Sequence, residues 1–338
     1  MKKGILFLIL GLAGIGLFAS MILSVGVGTL WHSLEHISIP ALVLFTAISI
    51  VNFLIFSLKW KVILNTSSKT IPSLFQLTLF RLVTFALNYV IPSAQVGGEP
   101  ARVYLLKKKG IPAEVAVSSV IIDKVFELSI NVLFVVITLI ILFLHHTPFK
   151  ITGTVLIGLV VLILVWFYFQ MARGKNFFTP IFKILHLDRI AVLSKLEKNI
   201  IDTENVIKTF FQHHTFALLK TIILSVMCFL LIVLEYFVIL YFLGITPTLS
   251  QLLIITVLPL MGYLIPIPGA VGTLEAAHVA AFSLAGLDPV LALPTIIILR
   301  IRDILFVLAG LAYAYTVGFG MVKKIKDNTN SLASDSTK

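Results

Sequence analysis

Charged residues are scarce in this chain: they make up 12% of its 338 residues, whereas hydrophobic residues make up 59%. Ordinary soluble domains carry about 25% charged and about 45–50% apolar residues. The shortage of charge excludes a soluble globular protein and indicates a polytopic membrane protein. Lys and Arg outnumber Asp and Glu by 26 to 15. These basic residues flank apolar stretches instead of forming one hydrophilic face, which argues against a nucleic-acid partner.

Cysteine is almost absent. The single Cys228 lies inside an apolar stretch, so an internal disulfide and a cysteine-based metal site are both excluded. The sequence also has no nucleophile set of the Ser/His/Asp or Cys/His kind, no nucleotide-binding loop and no metal-ligand spacing. We therefore predict no catalytic residue, no metal and no cofactor, and we expect that the protein is not an enzyme.

Long apolar stretches are what the chain has in abundance. A membrane-spanning helix needs about 20 apolar residues. Six stretches meet this requirement: residues 5–27, 39–58, 113–143, 151–170, 219–243 and 290–320. Two further stretches, 72–97 and 249–286, are interrupted by proline and glycine.

The basic residues orient these spans. Lys59, Lys61 and Lys69 follow the second span, whereas the loops on the opposite side hold only Lys150. Since basic loops stay in the cytoplasm, both termini are predicted to be cytoplasmic, in the inner or plasma membrane. Each interrupted stretch then begins and ends on one side of the membrane. We predict two re-entrant hairpins that enter from opposite faces and line a protein cavity, where irregular backbone is tolerated.

An internal repeat links the two interrupted stretches. An offset of 176 positions pairs charged residues of the two halves: Glu99 with Glu275, Lys124 with Arg300, and Glu127 with Asp303. The matching turns contain these residues: Pro92, Gly97 and Gly98 in the first, and Pro266, Pro268, Gly269 and Gly272 in the second. Broken apolar segments at corresponding positions are typical of inverted-repeat transporters.

The predicted fold is therefore an all-α polytopic membrane protein with about six full transmembrane helices and two re-entrant helical hairpins. Residues 1–322 are predicted to form one domain, with inverted halves at about 5–143 and 151–322. Residues 323–338 are polar and are predicted to be a disordered cytoplasmic tail. In the long loop at residues 171–218, apolar residues recur at helical spacing from Leu193 to Phe211 and predict an amphipathic helix on the cytoplasmic surface. It is either a surface helix at the membrane or a plain connecting helix.

Charged residues inside spans are costly and face the protein interior or water. Residues three apart on a helix can pair, as in Lys124–Glu127, Arg300–Asp303 and Glu99–Arg102. Such pairs either hold the halves together or form a binding site. Beyond these pairs Arg81 and Arg302 are left over, which favours a binding site. Glu235 is expected to bond a neighbouring helix. The candidate substrate-binding residues are Glu99, Arg102, Lys124, Glu127, Glu275, Arg300, Arg302 and Asp303.

The second turn also predicts an anion site. Pro266, Pro268 and Gly269 cannot remain in a continuous helix. The helix that restarts after Gly272 presents free N–H groups, which attract an anion such as a lipid phosphate. Glu275 lies in its first turn. It is either a carboxylate favoured by the helix dipole, or a group that takes up a proton or binds a cationic head group.

Two sequence signatures resemble a known family. They are Gly97-Gly98-Glu99-Pro100-Ala101-Arg102 with Asp123-Lys124 and Glu127, and Pro266-Ile-Pro268-Gly269-Ala-Val-Gly272-Thr-Leu-Glu275. Together they resemble the lysylphosphatidylglycerol synthase transmembrane region, also described as the flippase-like integral membrane family. Longer members attach an amino acid to phosphatidylglycerol with a cytosolic domain, and the membrane part is implicated in moving the product. This chain is similar to the membrane part only. Many relatives have glycine at the position of Ala270.

The leading expectation is a protein that binds an anionic lipid in a midplane cavity and moves it between leaflets. The lipid could be phosphatidylglycerol-like, an aminoacylated derivative or a polyprenyl phosphate. One alternative is a non-catalytic subunit that presents lipid to a separate synthase or glycosyltransferase. A membrane enzyme with Glu99 and Glu275 as an acid/base pair is a weaker alternative. The sequence leaves open whether the protein works with a lipid-modifying partner enzyme or as a homodimer.

Overall fold

The computed structural model describes residues 39–91, 93, 95–144, 151–180 and 197–335. The predicted first span at 5–27 and the turn residue Pro92 lie outside these residues. The described part is helical and contains no strand. Its ten α-helices are α1 (Ile39–Leu64), α2 (Leu74–Val90), α3 (Glu99–Lys108), α4 (Ala113–Leu144), α5 (Ile151–Ala172), α6 (Glu197–His213), α7 (Thr215–Phe242), α8 (Leu249–Val257), α9 (Thr273–Leu284) and α10 (Ala292–Asp335).

Three of the described helices are long and apolar enough to cross a membrane: Ile39–Leu64, Ala113–Phe143 and Thr215–Phe242. Shorter apolar helices occupy Leu74–Val90, Gly158–Ala172 and Leu249–Leu264. The last of these joins α8 to the 3₁₀ segment Leu258–Leu264. The prediction of an all-helical membrane protein is thus confirmed, whereas the arrangement of six spans and two re-entrant hairpins stays a prediction.

The helices repeat along the chain at the spacing of the charged residues. The long helices that precede the broken pairs, α1 and α7, begin at Ile39 and Thr215, which are 176 positions apart. The helices α2 and α8 begin 175 positions apart, at Leu74 and Leu249. Each half therefore has the same order of long helix, broken pair of helices and long helix.

The broken pair of the first half is a helical hairpin. The chain leaves α2 after Val90, and α3 returns beside α2, so that Leu77 and Leu105 share one buried cluster. Gly98 lies at the turn, where its N–H donates to Asn88 Oδ1 at 2.6 Å. A Cβ atom at this position would lie 2.2 Å from the Thr84 carbonyl oxygen. Glycine is therefore required here by close backbone approach.

The broken pair of the second half has the same hairpin shape, and its two arms are joined by direct hydrogen bonds. The Gln251 side-chain amide donates to the Ala285 carbonyl at 3.1 Å, and the Thr273 hydroxyl donates to the Gly262 carbonyl at 2.9 Å. Between the arms, the turn at 269–272 has two glycines with φ values of 60° and 85°, in the left-handed region. Glycine adopts this region at little cost, which explains the turn.

The halves pack through two antiparallel helix pairs. Phe45 near the start of α1 shares a cluster with Ile239 near the end of α7. The last helix, α10, runs against α2, and Gly310 approaches so closely that a Cβ there would lie 2.3 Å from the Leu82 carbonyl oxygen. Phe306 contacts Phe85 edge to face at 6.2 Å between ring centroids. The packing thus ties the hairpin of the first half to the last helix of the second.

Two predicted boundaries are wrong. The second span was expected to end at 58, with Lys59 in a cytoplasmic loop, but α1 continues to Leu64. It continues because Trp60, Ile63 and Leu64 are fully buried in the protein. At the other end of the chain, α10 extends to Asp335 through the segment expected to be disordered. No proline or glycine lies between Met321 and Asp335 to interrupt it.

The predicted amphipathic helix is α6. Its apolar residues Ile207 and Phe210 are fully buried and share a cluster with Phe126 and Phe167 of the neighbouring helices α4 and α5. One turn before Ile207, the buried Glu204 carboxylate accepts the Phe178 N–H at 2.7 Å. Because its apolar face packs inside the protein, α6 fits a connecting helix better than a helix that lies on a membrane.

Candidate functional site

The first half contains a set of seven charged residues, the first charge cluster, around a fully buried aspartate. Its members are Lys59, Arg81, Glu99, Arg102, Asp123, Lys124 and Glu127. The Asp123 carboxylate receives three cations from three different helices. Lys59 Nζ lies 3.0 Å from Oδ1, whereas Arg81 Nη2 and Arg102 Nη1 lie 2.6 and 2.7 Å from Oδ2. Asp123 therefore joins α1, α2 and α3 to α4.

Trp60 positions the cations that surround Asp123. The Trp60 indole N–H donates to the Ser119 hydroxyl at 3.2 Å, which fixes the end of α1 against α4. The Arg102 guanidinium lies over the Trp60 ring, 4.8 Å from its centroid. A guanidinium stacked on an indole gains a cation–π interaction while its N–H groups remain free to donate. The sequence folds this way because the buried Trp60 extends α1 to where Lys59 reaches Asp123.

The outer part of the first charge cluster is more open. Lys124 Nζ lies 2.8 Å from Glu127 Oε1 and 3.5 Å from Glu99 Oε1. The Lys124 and Glu127 side chains are 29% and 25% exposed, whereas Asp123 is fully buried. The predicted pairing of Lys124 with Glu127 is confirmed. The predicted pair of Glu99 and Arg102 is also present, at 3.9 Å.

The second half has a set of five charged residues, the second charge cluster: Glu235, Glu275, Arg300, Arg302 and Asp303. Arg300 Nη2 lies 2.6 Å from Glu275 Oε1, and Nε donates to the same oxygen at 2.9 Å. The other carboxylate oxygen of Glu275 accepts the Gly272 N–H at 2.6 Å. Glu275 thus caps α9 and holds Arg300 at the same time, so the helix-start explanation is confirmed.

Arg300 also joins the two halves. Its Nη1 atom donates to the Tyr89 hydroxyl at 2.7 Å and to the Gly269 carbonyl at 2.5 Å. Its Nη2 atom donates to the Ala270 carbonyl at 3.3 Å. A guanidinium has five N–H donors, and all five of them have a protein acceptor here. The predicted pair of Arg300 and Asp303 is wrong, because the capping carboxylate of Glu275 and the turn carbonyls surround Arg300.

Asp303 pairs with its neighbour Arg302 instead. Arg302 Nη2 lies 2.9 Å from Asp303 Oδ1, and Arg302 Nη1 pairs with Glu235 of α7. The expected bond from Glu235 to a neighbouring helix is therefore confirmed. Arg302 also lies over the Phe45 ring, at 5.5 Å from its centroid. These contacts join α10 to α7 and α1 at the end opposite to Lys59.

The repeat extends to contacts that the sequence signatures do not include. Residues 176 positions after Trp60 and Arg102 are Tyr236 and His278. These two also meet: the Tyr236 hydroxyl lies 2.7 Å from His278 Nε2, and the rings stack at 5.8 Å between centroids. A cation on an aromatic ring in the first half is thus replaced by an imidazole on an aromatic ring in the second.

The prediction that Arg81 and Arg302 are left over beyond the ion pairs is wrong. Arg81 is paired with Asp123, and Arg302 with Glu235 and Asp303. Among the described residues the first charge cluster has four cations and three carboxylates, and the second has two cations and three carboxylates. The formal charges of +1 and −1 cancel over the two clusters together.

The structure brings the eight candidate residues together in two groups instead of one. Glu99, Arg102, Lys124 and Glu127 belong to the first charge cluster, and the other four to the second. Sequence reasoning missed Lys59, Asp123 and Tyr89 as members of these networks. The repeat could have indicated Lys59, because 176 positions later stands the intramembrane Glu235. It could not indicate Asp123, whose equivalent is Leu299. In the described ranges no group of three or more His, Cys, Asp or Glu side chains could hold a metal ion.

The sequence model of the lysylphosphatidylglycerol synthase TM region matches residues 6–310. The chain belongs to this family. Two UPF0104 membrane proteins of Methanothermobacter thermautotrophicus are similar to it. One is 33% identical over 114 residues, which cover 33% of this chain and 30% of the relative. The other is 26% identical over 170 residues, which cover 50% of this chain and 49% of the relative.

These matches span half or less of the length of either relative. No solved structure matches the chain. The family match covers both charge clusters and both broken helix pairs. It establishes an integral membrane protein of the lysylphosphatidylglycerol synthase TM family.

Proposed function

We propose that this family member binds the anionic head group of a membrane lipid at the first charge cluster and moves that lipid between leaflets. The observation that carries the proposal is the charge of this cluster, with four cations against three carboxylates. An unbalanced charge among apolar helices is costly. One phosphate group would neutralise it. The proposal assigns no catalysis to the chain.

Lys124 is the group that a head group would reach. Its side chain is 29% exposed, whereas the cations around Asp123 are 11% exposed or less. An ammonium has three donors on a flexible stem, so Lys124 can keep a carboxylate and still donate to a phosphate. Lys124 lies eleven residues after the start of α4 at Ala113, which is about 16 Å along the helix. This depth suits a site near the middle of a hydrocarbon core about 30 Å thick.

The two hairpins would provide the movement. Inverted-repeat transporters alternate access by moving one half against the other around a central site. In this protein the hairpin break of each half lies beside the other half, and Tyr89 touches both Arg300 and Gly269. We assign this contact as the link that must loosen when the halves move. The proposal includes re-entrant hairpins, cytoplasmic termini and a location in the inner or plasma membrane.

Lipid transfer in liposomes tests the proposal. The purified protein is reconstituted, and the accessibility of a fluorescent phosphatidylglycerol is compared with that of a fluorescent phosphatidylcholine. We expect faster transfer of the anionic lipid than of phosphatidylcholine. In Lys124→Gln the transfer rate of the anionic lipid should fall about tenfold, which is equivalent to about 1.4 kcal/mol of binding. Lys61→Gln, which removes a cation of α1 outside the cluster, is the matched control and should keep the wild-type rate.

Two results would contradict the proposal. One is a transfer rate unchanged in both Lys124→Gln and the double variant Glu275→Ala/Arg300→Ala. The other is equal transfer of both lipids. Mass spectrometry of co-purified lipids separates binding from movement. If an anionic lipid is enriched in the wild type and lost in Lys124→Gln, but no transfer occurs, the protein would be a subunit that presents lipid to a separate enzyme.

A further inference from the structure

The second charge cluster has one carboxylate more than it has cations. Glu275 is matched by Arg300, which leaves Glu235 and Asp303 to share Arg302. The side chains of Glu235 and Asp303 are only 3% and 4% exposed. Two ionised carboxylates around one guanidinium would leave a net negative charge shielded from water. Such an arrangement is costly, and a proton taken up by one carboxylate removes the imbalance.

Among the described residues, no neighbouring group supplies the missing positive charge. His278 of α9 is the histidine that faces the cluster, and its contacts fit a neutral ring. Its Nδ1 atom lies 2.8 Å from the Leu274 carbonyl, to which only an N–H can donate, and Nε2 can accept the Tyr236 hydroxyl proton. Tyr236 of α7, Tyr263 after α8 and Tyr89 of α2 also face the cluster. In the part of the chain that the structure describes, only Arg300 and Arg302 form salt bridges with these carboxylates.

A buried hydroxyl points to the same site independently. Ser49 of α1 is 1% exposed, and its hydroxyl faces the Glu235 carboxyl. The hydroxyl nevertheless has no hydrogen-bond partner at bonding geometry. An unsatisfied buried hydroxyl costs about 1–3 kcal/mol. A protonated Glu235 can donate its O–H to the Ser49 oxygen, and an ionised Glu235 can accept from the Ser49 hydroxyl, so Ser49 is a polar partner that adjoins the pair in either state.

We propose that Glu235 and Asp303 share one bound proton at neutral pH and form a proton-binding site between α1, α7 and α10. Arg302 holds the ionised member of the pair, and Ser49 accepts from the protonated member. This inference does not rest on the proposed lipid transport, because a proton can bind whether or not a lipid moves. Release of the proton leaves both carboxylates competing for Arg302, so protonation state and the packing of α7 against α10 are coupled.

Infrared spectroscopy of the purified full chain tests the site. A protonated carboxyl group has a carbonyl stretch distinct from that of a carboxylate, and this band shifts when the proton is exchanged for deuterium. We expect a band for one protonated carboxyl per chain at neutral pH. The band should disappear in Glu235→Gln and, independently, in Asp303→Asn, because the remaining carboxylate then pairs with Arg302. In Arg302→Gln the intensity of this band should double.

Glu127→Gln is the matched control, since it removes a partly buried carboxyl from the cation-rich first charge cluster and should leave the band unchanged. The proposal is wrong if the wild type has no such band. It is also wrong if the band persists in both Glu235→Gln and Asp303→Asn. If one variant fails to fold, the other still decides the question.

Discussion

The two charge clusters occupy corresponding places in the two halves, yet they differ in charge balance and in exposure. The first surrounds a single carboxylate with three cations and has an exposed outer part at Lys124. The second surrounds a single guanidinium, Arg300, with acceptors and has no open donor on it. The two halves therefore share a backbone arrangement but differ in the chemistry of their charge clusters. In the proposed function the first receives an anion, whereas Arg300 of the second joins the turn of its own half to Tyr89 of the opposite half.

The difference arises at a few equivalent positions. Lys59 corresponds to Glu235, and Arg102 corresponds to His278, each 176 positions apart. The aromatic partners Trp60 and Tyr236 are kept in type and in contact. The equivalent positions of the two halves are thus similar in packing but differ in charge. The substitutions below test how far the stability of each half depends on the charged residues of its own cluster.

The largest effects are expected at Asp123 of the first charge cluster and at Arg300 of the second. Arg300→Ala leaves Glu275 buried without a cation, and Asp123→Asn leaves Lys59 and Arg81 without a carboxylate. Removing one partner of a buried ion pair costs about 3–5 kcal/mol. We expect both variants to lose this much stability, measured by thermal unfolding in detergent. The double variant Glu275→Ala/Arg300→Ala should be less destabilised than Arg300→Ala. If it is equally destabilised, the turn carbonyls and Tyr89, not Glu275, are the main partners of Arg300.

A smaller effect is expected where the halves touch. Gly310→Ala would place a methyl group 2.3 Å from the Leu82 carbonyl oxygen, so that α10 must move away from α2. Overpacking of this kind costs about 1–3 kcal/mol. Gly158→Ala is the matched control, because a Cβ at this helical glycine has no neighbour within 4 Å. An equal stability change in both variants would mean that α2 and α10 are not closely packed.

The second turn offers a substitution that should stabilise the protein. Ala270 has a φ of 48°, in the left-handed region, where an L residue costs about 1–2 kcal/mol. We expect Ala270→Gly to raise stability by up to about 1 kcal/mol, after the greater entropy loss of glycine. The control Ala276→Gly, within α9, should instead lower stability by about 1 kcal/mol. A decrease in stability in both variants would contradict backbone strain at Ala270.

The smallest effect on stability is expected at the open side of the first charge cluster. Lys124→Gln breaks pairs with Glu127 and Glu99 that are partly exposed to solvent, and such pairs contribute less than about 1 kcal/mol. Thermal unfolding should therefore change little, although lipid binding is expected to fall. A large loss of stability would mean that Lys124 is a structural residue like the cations around Asp123.

The sequence could predict the parts of this fold that repeat. Proline and glycine at matching positions predicted both broken helix pairs, and the offset of 176 predicted which charged residues correspond. It could not predict the partners of these residues. Spacing along one helix favoured Asp303 for Arg300, but a carboxylate from another helix, Glu275, is held beside it by capping α9. Lys59 was placed outside its span because hydrophobicity alone does not show that Trp60 packs inside the protein.

The opposite signs at Lys59 and Glu235 have a consequence for how the halves recognise each other. Two copies of the first half facing each other would bring together two clusters of formal charge +1, and two copies of the second half would bring together two of −1. Only the mixed combination is neutral when every carboxylate is ionised. If the halves were produced as separate polypeptides, they should therefore associate heterotypically, and neither should replace the other. The proton proposed between Glu235 and Asp303 would remove the negative charge of the second half and so weaken this preference.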